Sequence, residues 1–124
     1  MTLQRQTLGK IGENLAVAEL TRRGYAILDR RYRTRYGEID IVAEDEGIVV
    51  FVEVKARASP EFGLAAEAVT PYKQRRLGSM AVDYLARRRI TDRPCRFDVV
   101  AIDEAESDSP EITVYPAAFD MDGR

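Results

Sequence analysis

The sequence predicts an α/β fold in which a mixed central sheet is flanked by helices. Two long segments have helical periodicity, at residues 4–23 and 70–89, and runs rich in β-branched residues lie between and after them. The chain has 124 residues, of which 45% are hydrophobic and 32% are charged, as is typical of a globular domain. We expect the element order αβββαββ, in a single domain over residues 1–124.

The first helix is expected to end at Gly24, because glycine most readily adopts the left-handed conformation that closes a helix. Its apolar stripe recurs at helical spacing: Leu8, Ile11, Leu15 and Ala18. Further small and apolar residues widen this stripe: Gly9, Ala16, Val17 and Leu20. We therefore expect the helix to be packed on more than one side.

Three strands are predicted next, at residues 25–29, 38–44 and 48–56. The third is almost continuous in β-branched residues, as in a buried strand. The basic, tyrosine-containing segment 30–36 is expected to be a connection. Asp45-Glu46-Gly47 is expected to form the hairpin turn between the second and third strands.

The second helix has clear start signals. Thr70 is a good N-cap residue, and Pro71 is favoured at the first helical position. The helix is expected to run to about Arg89. Its buried stripe is predicted to be Leu77, Ala81, Tyr84 and Leu85.

Two more strands are predicted, at residues 96–102 and 112–115. An acidic loop over residues 103–110 joins them. Residues 120–124 are expected to be frayed, as chain ends commonly are.

The composition excludes several kinds of site. The chain has no histidine, so His-metal sites, Ser-His-Asp triads and Cys-His dyads are impossible. Acid-base and metal chemistry must then use oxygen ligands and lysine, which favours hard cations such as Mg²⁺ or Mn²⁺. Cys95 is the only cysteine, so no disulfide can form within the chain. With no apolar run of membrane-spanning length and no signal-peptide segment, we expect a cytoplasmic protein without membrane contact.

Charge is distributed unevenly along the chain. The net charge is −2. Residues 1–102 contain 18 basic and 14 acidic residues, whereas residues 103–124 contain one arginine and seven acids. The body of the protein is therefore mildly basic and can bind nucleic acid despite the overall negative charge.

The hairpin carries the most specific pattern. If Glu46-Gly47 is a two-residue turn, Asp40 faces Glu53 and Glu38 faces Lys55. Directly opposed residues have Cβ atoms about 4.5–5.5 Å apart, so two carboxylates would adjoin, with Lys55 on the same face. A divalent cation would relieve their repulsion, and cation, water and lysine together suit phosphodiester hydrolysis.

The plain alternative is a solvated strand face with ordinary salt bridges, and three features argue against it. Asp40 and Glu53 interrupt strongly apolar strands, where unpaired polar groups are costly. Glu13 lies on the first helix's extended apolar surface and could approach the same site. The chain has sixteen arginines and only three lysines, yet the critical cation is Lys55.

The candidate nucleic-acid contacts are basic residues near this hairpin, together with one tyrosine: Arg31, Tyr32, Arg33, Arg35, Arg57, Lys73, Arg75 and Arg76. For residues 30–36, phosphate gripping with base stacking and a merely solvated loop are equally good interpretations. Positive charge in the first turns of the second helix opposes the helix dipole, which favours an external phosphate there. Arg87, Arg88 and Arg89, near the helix end, are expected to be structural. Asp98 is expected to make a structural contact, and Tyr72 and Tyr84 to belong to the core.

The motifs resemble those of the PD-(D/E)xK nuclease superfamily. They are Gly-x-x-Gly-Glu13, Gly37-Glu38-Ile39-Asp40 and Phe51-Val52-Glu53-Val54-Lys55. Within it the chain is most similar to the uncharacterised bacterial YraN-type family, over about residues 8–117, and more distantly to archaeal Holliday junction resolvases. The resemblance implies a restriction-endonuclease-like αβββαβ core. It also implies metal ligation by Glu13, Asp40 and Glu53, and catalysis by Asp40, Glu53 and Lys55. Arg31 departs from the family pattern, which often has Asn there.

The leading hypothesis is a metal-dependent nuclease, with Mg²⁺ or Mn²⁺ as cofactor, acting on branched or structured DNA. The alternative is a catalytically silent module that keeps the fold and binds nucleic acid or protein. A third is a structural partner that assembles through its helices. A homodimer would supply the two sites that cutting both strands requires.

Overall fold

A computed structural model describes residues 3–59 and 69–119, and the backbone alone for residues 3–7. The described elements are α1 (Leu3–Arg22), β1 (Ala26–Thr34), β2 (Gly37–Asp45), β3 (Ile48–Ala56), α2 (Pro71–Arg87), β4 (Cys95–Asp103) and β5 (Glu111–Phe119). This confirms the predicted order αβββαββ. The tail over residues 120–124 lies outside the described residues.

The five strands form one mixed sheet in the order β1-β2-β3-β4-β5. The neighbours β1–β2, β2–β3 and β4–β5 are antiparallel, whereas β3 and β4 are parallel. A parallel pair needs a crossover, and α2 lies between β3 and β4 in the chain. The β2–β3 hairpin therefore lies in the middle of the sheet, as predicted.

Each face of the sheet is covered by one helix. Phe51 belongs to a buried cluster with Leu77 and Tyr84 of α2, while its neighbour Val50 belongs to a second cluster with Leu20 of α1. This alternation is that of a strand buried on both faces. Aromatic contacts reinforce the α2 side, where the rings of Phe51 and Tyr84 meet edge-on with centroids 5.7 Å apart. The predicted α/β, restriction-endonuclease-like architecture is confirmed.

The regular alternation of β2 is interrupted at Asp40. Ile39 and Ile41 are both fully buried, yet Ile39 lies in the α2 cluster and Ile41 in the α1 cluster. In a regular strand, residues two apart point to the same face. The two isoleucines therefore pack on opposite faces of the sheet, on either side of Asp40.

The predicted turns and caps are present. Gly24 has φ +95°, and the N–H of Tyr25 donates to the carbonyl of Leu20 at 3.0 Å, closing α1 in a Schellman motif. Glu46 and Gly47 both have positive φ, so the hairpin turn is of the predicted two-residue kind.

The second helix begins as predicted and buries most of its predicted stripe. The hydroxyl of Thr70 accepts a hydrogen bond from the N–H of Lys73 at 3.3 Å, and Pro71 is the first helical residue. Tyr84 is buried, as expected. Tyr72 is 61% exposed, so its predicted place in the core is wrong: it lies in the first turn, off the buried stripe.

Both edge strands are longer than predicted. The strand β1 continues to Thr34, so residues 30–34 belong to a strand and only Arg35 and Tyr36 form the turn to β2. An edge strand accommodates charge, and here arginines turn outward while Tyr32 and Thr34 are partly buried. The last strand, β5, continues past Pro116, since proline is tolerated at a sheet edge.

A buried ionic network supports the end of the sheet opposite the hairpin's open end. Asp98 is fully buried and accepts hydrogen bonds from Tyr25, Arg96 and the N–H of Ala117. Arg96 also pairs with Asp45 at 3.0 Å, which ties β4 to the hairpin turn. Burial, followed by the contact with Asp98, raises the pKa of Tyr25 to about 12. The structural role predicted for Asp98 is confirmed.

Two of the three arginines at the end of α2 have structural partners, as expected, and the structural role of Arg89 stays a prediction. Arg87 pairs with Asp83 at 3.2 Å, and Arg88 pairs with Asp29 at 3.2 Å. Neither helix of the described residues is long and apolar enough to cross a membrane.

Candidate functional site

A cleft of about 740 Å³ lies between the N-terminal half of α1 and the open end of the β2–β3 hairpin. Its lining residues are Leu8, Gly9, Lys10, Glu13, Arg31, Arg33, Glu38, Asp40, Val54, Lys55, Ala56 and Arg57. The wall thus combines three carboxylates with five basic side chains. Half of the twelve predicted site residues line this one cleft: Glu13, Arg31, Arg33, Asp40, Lys55 and Arg57.

Asp40 is placed by the hairpin but not by a regular ladder. Backbone pairing follows the predicted register from Asp45–Ile48 to Ile41–Val52. One residue farther, the carboxylate of Asp40 accepts a hydrogen bond from the N–H of Val54 at 2.8 Å. At the open end of the hairpin, the Asp40 carboxylate therefore accepts the hydrogen bond that a backbone carbonyl would accept in a regular ladder.

The surroundings of Asp40 disfavour its ionised form. Burial, followed by the negative charge of Glu53, raises the pKa of Asp40 to about 8, against the opposing effects of the hydrogen bond from Val54 and the charge of Lys55. Without a cation, this carboxyl therefore holds a proton at neutral pH. A divalent cation between Asp40 and Glu53 would restore the ionised form, so the donor set fits a metal ion.

Glu53 and Lys55 form an ion pair beside Asp40. Lys55 Nζ lies 3.2 Å from Glu53 Oε1, and their side chains are only 21% and 17% exposed. Lys73 of α2 reaches the same place, because the close approach of the Lys55 ammonium is the main cause that lowers the pKa of Lys73. Asp40, Glu53 and Lys55, which were predicted to be neighbours, therefore come together, and Lys73 joins them.

Glu13 points into the cleft because α1 packs tightly against the end of β3. A Cβ atom added at Gly12 would lie 2.8 Å from the Cβ of Ala56, so only glycine allows this approach. The next residue, Glu13, is buried, and its charge contributes to the raised pKa of Asp40. Its carboxylate is not free, because Arg31 Nε donates to it at 2.9 Å and Arg30 lies 3.4 Å away.

The three predicted metal ligands do not form a ready cage. In residues 3–59 and 69–119, no three Cys, Asp or Glu side chains are grouped so that they could hold a metal ion. Asp40 and Glu53 leave two carboxylates, which can suffice for Mg²⁺ when water and substrate phosphate complete its octahedron. Ligation by Glu13 stays a prediction that requires its release from Arg31.

Three of the predicted nucleic-acid contacts line the cleft. Arg31 is held by Glu13, with a backbone φ of +52° that Asn tolerates more readily than Arg. Arg33 is 87% exposed and lies 3.4 Å from Glu38. Arg57 has a buried Nε without a hydrogen-bond partner among the described residues. The last two have donors available for a phosphate.

Other predicted contacts have structural partners. The hydroxyl of Tyr32 donates to Asp83 at 3.2 Å, and its ring meets Tyr84 edge-on with centroids 4.9 Å apart. Tyr32 therefore packs against α2 from the inward position on an edge strand, and its stacking on a base stays a prediction. Arg76 donates from Nε to the carbonyl of Tyr36 at 2.9 Å.

The remaining predicted contacts are exposed, and one cleft residue was missed. The guanidinium of Arg35 lies over the Tyr36 ring, with Cζ 5.0 Å from the ring centroid. Arg75 is exposed. Lys10 was not predicted. It lies one helical turn before Glu13, and this spacing could have placed it on the same wall.

Comparisons with known proteins identify relatives of the whole chain. The model of the uncharacterised protein family UPF0102 matches residues 12–102. A UPF0102 protein of Syntrophotalea carbinolica is 46% identical over 123 residues, 99% of each chain. One of Syntrophus aciditrophicus is 48% identical over 118 residues, 95% of this chain and 92% of the relative. One of Geotalea daltonii is 44% identical over 116 residues, 94% and 91% of the two chains.

Proposed function

The chain belongs to the uncharacterised protein family UPF0102, and we propose that it is a metal-dependent nuclease that hydrolyses phosphodiester bonds in branched or structured DNA. Membership agrees with the YraN-type resemblance of its motifs. One observation carries the proposal: Asp40, with a pKa raised to about 8, lies beside Glu53 and lines an open cleft together with Lys55. Groups with perturbed pKa values in clefts are commonly functional.

The residues divide into ligands and charge-stabilising groups. When bound by Asp40 and Glu53, Mg²⁺ or Mn²⁺ would supply Lewis acidity and an activated water. Lys55 would donate hydrogen bonds to that water or to the phosphate oxygens as negative charge develops. Lys73, in contact with Lys55, adds a second positive charge on the side of α2.

Substrate binding would complete the ligand set. Arg31 pairs with Glu13 in the protein alone, and a DNA phosphate would compete for the same guanidinium. Release of Arg31 would free the Glu13 carboxylate to turn toward Asp40 and Glu53. Nucleic-acid binding and metal binding would then strengthen each other.

A catalytically silent binding module is the second candidate. It is favoured by the engagement of Glu13 with two arginines and by the lack of a three-carboxylate group among the described residues. In such a module the basic cleft would hold a phosphate backbone without cutting it.

Paired measurements of cleavage and binding distinguish the two candidates. We would test linear, nicked, flapped and four-way DNA and structured RNA with Mg²⁺ or Mn²⁺, using the parent, Lys55→Ala, Lys55→Arg and Asp40→Asn. Both Lys55 variants should bind like the parent but lose cleavage, since an interaction made only in the transition state changes rate and not affinity. A thousandfold loss would correspond to about 4 kcal/mol of barrier.

The control is Arg87→Ala, which removes a cation that pairs with Asp83 on α2. It should cleave like the parent. A parent that cleaves at the same rate as both Lys55 variants would contradict the role of Lys55. A parent that cleaves no substrate with either metal would favour the binding module.

The setting of the activity is part of the proposal. Cys95 has a half-buried thiol whose pKa is raised by burial, and no second cysteine exists to pair with it. A reducing cytoplasm suits such a thiol. Two copies of the chain would bring two clefts to a substrate in which both strands are cut.

A further inference from the structure

Two exposed tyrosines are connected by one arginine beside the cleft. Tyr72, in the first turn of α2, is 61% exposed, and Tyr36, in the β1–β2 turn, is 38% exposed. Arg76 Nε donates to the carbonyl of Tyr36 at 2.9 Å, and its guanidinium lies 5.8 Å from the centre of the Tyr72 ring. We name the surface formed by Tyr36, Tyr72, Arg35 and Arg76 the tyrosine ridge.

A glycine makes this connection possible. Gly37 follows Tyr36, has φ +135°, and a Cβ atom added to it would lie 2.7 Å from Arg76 Nη2. Any other residue would strain the backbone and displace the guanidinium from Tyr36. The conformation of the β1–β2 turn at Gly37 therefore allows Arg76 of α2 to contact Tyr36.

The ridge combines rings and cations, a chemistry that suits unpaired nucleotides. Both rings carry an arginine nearby, Arg35 at Tyr36 and Arg76 at Tyr72. Proteins that bind single strands place bases on aromatic rings and guanidinium planes while cations hold the phosphates. Scattered exposed tyrosines need no explanation, but two on one arginine-bearing surface are a more specific arrangement.

The charge of α2 points the same way. Its residues 71–82 include three basic residues and no acidic residue, at the positive end of the helix dipole. Positive side chains at this end of the dipole destabilise the helix when nothing is bound. A polyanion bound at this surface would offset the unfavourable charge.

The ridge lies next to the proposed catalytic groups along both chain segments. Asp40 follows Tyr36 by four residues along β2, and Lys73, the neighbour of Tyr72, contacts Lys55. A strand whose bases stack on the ridge would therefore carry its backbone past Lys73 toward the cleft.

We propose that the tyrosine ridge binds unpaired bases of a single-stranded segment, through the exposed Tyr36 and Tyr72 rings that Arg76 connects. The placement of this single strand next to a scissile bond rests on the proposed nuclease function. It specifies the substrate: DNA or RNA with a flap, gap or overhang next to the scissile bond, and not a continuous duplex.

Binding without metal tests the ridge alone. Fluorescence anisotropy in EDTA would use labelled oligothymidylate of about 12 nucleotides, an abasic strand of equal length, and a duplex. Tyr36→Ala and Tyr72→Ala should each weaken oligothymidylate binding by about 5- to 100-fold, the usual range for one lost stacking contact. Tyr36→Phe and Tyr72→Phe should bind like the parent, because the ring is kept. Affinity for the abasic strand and the duplex should not change.

The matched control is Tyr115→Ala, which removes a tyrosine of similar exposure, 42%, from the edge strand β5. It should bind oligothymidylate like the parent. Equal losses of oligothymidylate and abasic binding would overturn stacking, as would Phe variants no better than Ala variants. Alanine variants that bind like the parent would overturn the ridge as a binding surface.

The two proposals can fail separately. A parent that binds oligothymidylate through the ridge but cuts nothing refutes the nuclease and retains the ridge. A parent that cuts DNA while Tyr72→Ala binds and cuts as the parent does refutes the ridge and retains the nuclease.

Discussion

Replacing Asp40 with Asn should stabilise the protein in the absence of metal, and the gain should grow with pH. The native pKa of Asp40 is raised from 3.8 to about 8, first by burial and then by Glu53. Between these values the native state keeps a proton that the unfolded state has released. Stability therefore falls as pH rises through this window, and Asn, which does not titrate, removes the loss.

The pKa difference sets the size of the effect. Each unit corresponds to about 1.4 kcal/mol, so the gain from Asp40→Asn should be on the order of 3 kcal/mol at pH 6 and 5 kcal/mol at pH 8. At pH 4, close to the unfolded pKa of 3.8, it should fall below about 1 kcal/mol, because the native carboxyl is neutral and the unfolded one is only partly ionised. The amide oxygen of Asn can still accept the hydrogen bond from Val54.

Urea denaturation in EDTA from pH 4 to pH 8 measures this difference directly. A matched control is Asp83→Asn, which removes a carboxylate that pairs with Arg87 on α2. The difference in free energy of unfolding between Asp83→Asn and the parent should not rise toward pH 8 as it does for Asp40→Asn. Parallel stability curves for the parent and Asp40→Asn across this range would refute the raised pKa.

Adding Mn²⁺ should narrow the stability difference between the two proteins at pH 8. A ligand that binds only the native state at 100 times its dissociation constant stabilises by about 2.7 kcal/mol, and larger excesses stabilise more. The parent should gain this stability and Asp40→Asn should not, because the variant lacks the charged ligand. An equal gain in both proteins would place the metal elsewhere.

Three further changes test packing, the arginine contact and phosphate binding. Gly12→Ala should destabilise by about 1–3 kcal/mol in thermal denaturation, because its Cβ meets β3 at 2.8 Å, whereas Gly9→Ala, with open space, should be neutral or stabilising. Arg31→Ala should strengthen Mn²⁺ binding in calorimetry, because it releases Glu13. Arg33→Ala, which leaves Glu13 paired, should not strengthen it. Equal gains in both variants would mean that the loss of one positive charge explains the effect without the release of Glu13. Arg33→Ala should instead reduce the log–log salt slope of duplex binding by about 0.9, and an unchanged slope would exclude a phosphate contact.

The central elements could be predicted because their signals are local. The turn at Glu46-Gly47 needs two positive φ values, and the start of α2 needs only Thr70 and Pro71. Such features depend on a few neighbouring residues. With the turn fixed, the hairpin register predicts that Asp40 lies near Glu53.

The ends of the edge strands were not predictable in the same way. The arginines between Arg30 and Thr34 resemble a loop in composition, yet one side of an edge strand can stay in water. Pro116 likewise resembles a strand end but lies within β5. Whether a strand is central or at the edge depends on the whole sheet and not on its own residues.

The details of the site depend on contacts between distant segments. Glu13 and Arg31 are eighteen positions apart, and their ion pair exists because α1 crosses the end of β1. The change of face between Ile39 and Ile41 likewise follows from packing against both helices. Simple alternation along β2 could not predict it.

The different locations of the lysine and arginine side chains support the proposal that chemistry takes place in the cleft. Lys10 and Lys55 line it and Lys73 contacts Lys55, so all three lysines of the chain meet there. Several arginines outside it pair with carboxylates: Arg22, Arg23, Arg87, Arg88, Arg93 and Arg96. Guanidinium forks suit such fixed pairs, whereas an ammonium is compact and can lose its proton. Arginines also line the cleft, but the ammonium beside Asp40 and Glu53 is that of Lys55, so Lys55→Arg tests whether a compact cation is needed there.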